Sequence, residues 1–128
     1  MTPTLYFPID ACAGIDNPDA APYDRQWLVI DADGRWLTQR DHPSLAQVAV
    51  AIRFGYLVIR APGMLRMDIP LDVIEDDESV WRHATIGKQR VDVVDEGDLA
   101  AAWISNFLGV PSRLVKVHPD APEVLWQP

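Results

Sequence analysis

The stretch with the most usable chemistry is Asp24-Arg25-Gln26-Trp27, an ion-pairing dipeptide set against the start of an apolar run. A planar guanidinium at a strand entrance can aim two parallel hydrogen bonds at a phosphate or a carboxylate. The same residues can equally act as a structural clamp, with Arg25 paired to a buried carboxylate such as Asp10 or Asp31. The sequence leaves both roles open. Downstream, Thr38 and Arg40 of Leu37-Thr38-Gln39-Arg40 are polar residues at the end of a β-prone segment, placed either to face a pocket or to close a sheet edge. Cys12 is the only cysteine, and no His or Lys flanks it to lower its pKa, so a buried structural thiol is expected. His42, His83 and His118 show no metal-ligand spacing and read as surface or packing residues. Nucleophile elbows, phosphate-cradling glycine loops and dinucleotide fingerprints are missing. No catalytic residue and no metal ligand is therefore assigned.

The elements that must position these residues are mostly short strands. Leu5 to Ile9 predicts a first or edge strand broken by Pro8, and Asn17 to Pro22 a loop. Trp27 to Asp31 is strongly β-prone, Asp33-Gly34 is a hairpin signal, and Trp36 to Thr38 is the returning arm. Leu45 to Ile52 alternates Val48, Val50 and Ile52 with smaller residues, which favours a strand. Leu57 to Ile59, Leu65 to Ile69, Val80 to His83, Arg90 to Val94 and Arg113 to Val117 complete the β set. One segment follows the helical period: Ala100, Trp103, Ile104, Phe107 and Leu108 form a single apolar stripe across an expected helix from Asp98 to Leu108. Asp95 or Asp98 could cap its start, Gly109 suits a left-handed end, and Pro111 prevents continuation. Trp103 and Phe107 are expected to be buried. The fold class is mainly β, a barrel-like antiparallel or mixed sheet with one amphipathic C-terminal helix.

With 128 residues the chain is long enough for one domain, read as 1–128, and 48% hydrophobic against 23% charged residues suits a globular fold. No apolar run approaches a membrane span and no N-terminal secretory pattern is present. Together with the lone cysteine, this makes the cytoplasm the expected location. The formal net charge is −8, and from Asp68 to Asp98 ten acids stand against three bases. Phosphate backbones require concentrated positive charge, so nucleic acid is not an expected partner. The run Glu75-Asp76-Asp77-Glu78 is expected to be a solvated loop.

Four collinear strings carry a family resemblance. They are Tyr6-Phe-Pro-Ile-Asp-Ala-Cys-Ala-Gly14, Asp24-Arg25-Gln-Trp27 continuing to Leu37-Thr-Gln-Arg40, Ala61-Pro-Gly-Met64, and Gly97-Asp-Leu-Ala-Ala-Ala-Trp103 ending at Leu108-Gly109. In this order the chain resembles the N-terminal barrel domain of the MOSC family, the molybdenum-cofactor sulfurase C-terminal-domain proteins, from about Leu5 to His118. The resemblance implies that Arg25 is a cofactor-binding residue that holds the pterin. Two departures stand beside it. Where the family pattern has Lys and Ser that help bind the cofactor, this chain has Asp10 and Ala11, which reverses a charge and removes a hydroxyl. The link from Gly14 to Asp24 is also shorter than in the family, so one barrel strand is expected to be absent.

In that family a second domain, the MOSC domain proper, supplies the cysteine that ligates molybdenum. The implied function is a non-catalytic accessory module that shapes a cofactor or substrate cleft with a separate MOSC-domain protein as partner. No cofactor is expected in the isolated chain, and molybdenum cofactor only when it is paired with a MOSC domain. The alternatives are a stand-alone interaction or small-ligand-binding domain that has lost the cofactor role, and part of a molybdenum-dependent reductase of N-hydroxylated compounds.

Overall fold

A computed structural model describes residues 5–71, 81–118, 124 and 126. Seven strands form two antiparallel sheets. The strands are β1 (Trp27–Asp31), β2 (Ala49–Arg53), β3 (Tyr56–Arg60), β4 (Met67–Pro70), β5 (Trp81–Ile86), β6 (Gln89–Asp95) and β7 (Ser112–Val117), with helix α1 (Asp98–Leu108) between β6 and β7. One sheet has the order β1-β7-β6-β5 and the other β2-β3-β4. The two sheets and α1 share one core, a barrel-like arrangement with a single helix, as the residue pattern predicts.

Strand β1 shows how the alternation is used. Trp27 and Val29 enter the main core, whereas Leu28 and Ile30 pack into a second cluster with Ala84, Ile86, Val91, Val93 and Val115. Successive side chains point to opposite faces, so a strand buried on both sides must be apolar throughout. A slip of one residue would exchange the two sets, and the sizes of Trp27 and Leu28 make that exchange costly. Trp36, Val117, Val124 and Trp126 pack at the edge of this second cluster.

Several local expectations need correction. Leu5 to Ile9 is not a strand: it contributes only bridges, Tyr6 to Ile15 and Ile9 to Trp27. Leu45 to Ile52 divides into a 3-10 turn (Pro43–Gln47) and β2, because Pro43 favours the first turn of a helix and cannot donate to a ladder. The arm after Asp33-Gly34 pairs through isolated bridges, Ile30 with Trp36 and Arg35 with Thr85. The two sheets are wholly antiparallel in their ladders; parallel pairing is confined to bridges. In α1, Ala100 and Ile104 are buried, but Trp103 and Phe107 are half-buried and pack on the rim of the core. The Trp103 indole N–H reaches the Leu65 carbonyl at 2.7 Å, which holds the ring at the margin where that polar edge is satisfied.

The N-terminus of α1 is organised by an ion cluster in place of a side-chain cap. Gly97 is the capping residue at φ 104° and has no side chain with which to cap the helix. Asp95 instead accepts from the Gly97 N–H at 2.9 Å and pairs with Arg82 and Arg113, while Asp98 pairs with Arg113. Gly109 ends the helix in the left-handed conformation, as expected. The Glu75 to Glu78 run lies outside the described residues.

Candidate functional site

Three loop segments converge beside the first residue of β1. The N-terminal segment docks there through backbone bonds from Asp10 N–H to the Trp27 carbonyl (2.9 Å), from Trp27 N–H to the Pro8 carbonyl (2.9 Å) and from Arg25 N–H to the Phe7 carbonyl (2.7 Å). Asp24 secures the same junction by accepting the Phe7 N–H at 2.8 Å. The arm after the hairpin closes the third side, where the Gln39 side-chain amide donates to the Ala11 carbonyl at 2.6 Å. Between these segments lies an open cleft of about 310 Å³, lined by Phe7, Asp10, Ala11, Cys12, Arg25, Trp36, Thr38, Gln39 and Arg40.

Two of the cleft's residues hold backbone conformations unusual for L-residues: Ala11 at φ 70° and Arg25 at φ 53°. The left-handed region costs a non-glycine residue about 1–2 kcal/mol, and such residues concentrate at ligand clamps. At Arg25 it turns the chain between the preceding loop and β1. The Arg25 side chain is 45% exposed, and its guanidinium sits 5.9 Å from the centre of the Phe7 ring.

Asp10 supplies the electrostatic centre. Its carboxylate is 8% exposed, accepts from the Trp36 indole N–H at 2.8 Å and lies 3.4 Å from Arg25 Nε. Burial raises its pKa above the ordinary carboxylate value, against the opposing influence of Trp36 and Arg25. Arg25 is thus both paired and partly exposed. The pair with Asp10 is made through Nε, and Arg25 lines the cleft. Asp10 also weighs against a phosphorylated pterin held as the family resemblance implies. Where that pattern has a cation, this chain places a carboxylate whose oxygens are already engaged. The other polar side chains lining the cleft are those of Thr38, Gln39 and Arg40.

Cys12 lies under the cleft and is 1% exposed. Burial first, and Asp10 second, push its thiol up to about 12, so it is not a thiolate at neutral pH. Among the described residues, no group of three or more His, Cys, Asp or Glu comes together in a way that could hold a metal ion. His83 Nδ1 meets Asp92 at 2.8 Å on the exposed face of β5 and β6, away from the cleft.

Thr38 and Arg40 line the cleft. Sequence reasoning missed Trp36, Gln39 and Phe7. Trp36 reads as an ordinary strand residue, and its bond to Asp10, 26 positions away, has no local signature. Gln39 was within reach, since it sits between the two residues already singled out.

A model of the MOSC N-terminal beta barrel domain matches residues 3–111. The chain is 30% identical to a molybdenum cofactor sulfurase of Danio rerio over 94% of its own length and 16% of the relative's, and 29% identical to that of Homo sapiens over 91% and 14%. It is 31% identical to mitochondrial amidoxime reducing component 2 of Bos taurus over 86% of this chain and 35% of the relative. The chain therefore spans only a small part of these curated relatives. A solution structure of a Bordetella bronchiseptica protein superposes with a TM-score of 0.85 at 57% identity, covering 98% of this chain and 97% of that one.

Proposed function

The chain belongs to the MOSC N-terminal beta barrel domain family, and from that membership we propose that it is a non-catalytic accessory module. On this reading it forms one wall of an anion-binding cleft completed by a separate MOSC-type domain, in a reducing compartment such as the cytoplasm. The observation that carries the reading is Arg25. It lines the cleft that joins the N-terminal segment, the entrance to β1 and the Thr38-Gln39-Arg40 arm. Its side chain is nearly half exposed, and Arg40, Thr38 and Gln39 line the cleft with it. The names of the relatives, molybdenum cofactor sulfurases and an amidoxime reducing component, support molybdenum-cofactor chemistry as the setting. This chain's part is to hold and orient an anionic group; ligation of molybdenum falls to the partner.

One feature favours the second reading, a small-ligand-binding domain without the cofactor role. Asp10 offsets part of the positive charge of Arg25, so this cleft by itself would hold no more than one small anionic group.

Orthophosphate titration followed by backbone NMR tests the site. Shifts should localise to residues lining the cleft, and Arg25→Gln should weaken binding about tenfold, the scale of a lost charged hydrogen bond. Equal affinity in wild type and Arg25→Gln would reject the cleft as an anion site. Mixing the chain with a MOSC-domain protein then separates the two readings: complex formation that protects the cleft's amides supports the accessory role, and independent behaviour supports the small-ligand domain.

A further inference from the structure

A second concavity of about 380 Å³ adjoins the first and shares Trp36, Thr38 and Arg40 with it. Arg35, Asp41, Thr85 and Gly87 complete its lining. The hairpin arm is fastened to β5 at this point: Trp36 N–H donates to the Thr85 carbonyl at 2.9 Å and Thr85 N–H to the Gly34 carbonyl at 2.7 Å. Arg35 is held through its own backbone, its N–H donating to Asp31 at 2.9 Å. The Arg35 and Arg40 side chains are exposed, and neither has an ion-pair partner among the described residues. Three arginines thus line two adjoining depressions, Arg25 the first, Arg40 both and Arg35 the second. Asp10 is already engaged by Trp36 and Arg25. Asp41, the acid that lines the second lobe, opposes an anion held loosely there, so firm binding requires a guanidinium.

We propose that the two lobes form one site for a small ligand with two or more linked anionic groups, the chemistry of a polyphosphate or its ester. One anionic group sits between Arg25 and Arg40 and the next beside Arg35, with the Thr38 and Thr85 hydroxyls as additional donors. Linking the groups converts the second contact into an intramolecular one, which strengthens binding without a stronger individual contact. The proposal rests on the first lobe being an anion site and adds the second lobe and the ligand class to it.

Calorimetric titration of the full chain with orthophosphate and tripolyphosphate at fixed ionic strength tests this. Tripolyphosphate should bind at least about tenfold more tightly than orthophosphate. Arg35→Gln should abolish that preference while leaving orthophosphate affinity unchanged. Arg53→Gln, an equal loss of charge outside both lobes, should preserve it. Equal effects of Arg35→Gln and Arg53→Gln on tripolyphosphate, or no preference in wild type, would overturn the two-lobed site. Orthophosphate binding that ignores Arg25→Gln would reject the first lobe itself, and the two failures are therefore distinguishable.

Discussion

Two aspartates, Asp10 and Asp95, are equally withdrawn from water, at 8% and 7% exposure, and each meets arginine, yet their carboxyls move in opposite directions. Burial acts first on both and favours the neutral acid. At Asp95 it is outweighed by the Gly97 N–H, Arg82 and Arg113, which hold the carboxyl below its ordinary range. At Asp10 the Trp36 indole and a single, more distant guanidinium do not offset it, and the pKa rises. Asp10 is the more deeply surrounded by protein and Asp95 has the more numerous and closer charged donors, and the two differences act together. The Asp95 cluster ties β5, β7 and the start of α1 together as a structural joint. The Asp10 site keeps its arginine half-exposed beside an open cleft, the state suited to an incoming anion.

The largest expected effect lies in the joint. Asp95→Ala should destabilise folding by roughly 3–5 kcal/mol, since it strips a carboxylate from two guanidiniums and a backbone N–H. Denaturant unfolding measures this, and a loss below that of Asp10→Asn would break the contrast.

A smaller effect separates neighbours in the chain. Glu96 beside Asp95 has its pKa pushed up to about 7 by burial, partly opposed by Trp27 and Lys116. The Trp27 indole nitrogen and Glu96 Oε1 are buried without a partner in hydrogen-bonding geometry, so the indole's proximity to the carboxyl is not a formed bond. The folded protein keeps the Glu96 proton to higher pH than the unfolded chain does. The stabilisation tied to that proton is complete below about pH 4.5 and lost as pH rises through about 7. The change amounts to about 3 kcal/mol at most. Asp95 has the reverse sign: its contribution is present above its ordinary range and lost in acid. Thermal unfolding from pH 4 to 8 should show the Glu96 decline in wild type, and Glu96→Gln should flatten it. A decline that persists in the variant would assign it elsewhere.

Asp10→Asn comes next. The amide oxygen can still accept from Trp36 while releasing Arg25, so stability should change by about 1 kcal/mol or less. Orthophosphate affinity should rise about tenfold. Unchanged affinity would show that Asp10 does not restrain the arginine.

The smallest stability effect is expected for Arg25→Ala, below about 1 kcal/mol, because the guanidinium is nearly half in water. A loss of several kcal/mol in thermal unfolding would make Arg25 a clamp like Arg113 and remove the distinction between the two regions.

The sequence by itself determined the features that rest on local periodicity and on residue type. The β character of β1 and β7, the helix from Asp98 to Leu108, its glycine end and the burial of Cys12 all follow from patterns within a few residues. Arg25, Thr38 and Arg40 could be singled out because their chemistry and position at element ends are local too. The tertiary structure alone decided which of these residues meet. Trp36 reaches Asp10 across 26 positions, Arg82 and Arg113 converge on Asp95, and Trp103 stops at the rim because its N–H finds the Leu65 carbonyl 38 positions away. Such contacts depend on how two sheets and a helix close over one core, and the same carboxylate becomes a joint or a restraint on a binding arginine according to the donors that closure delivers.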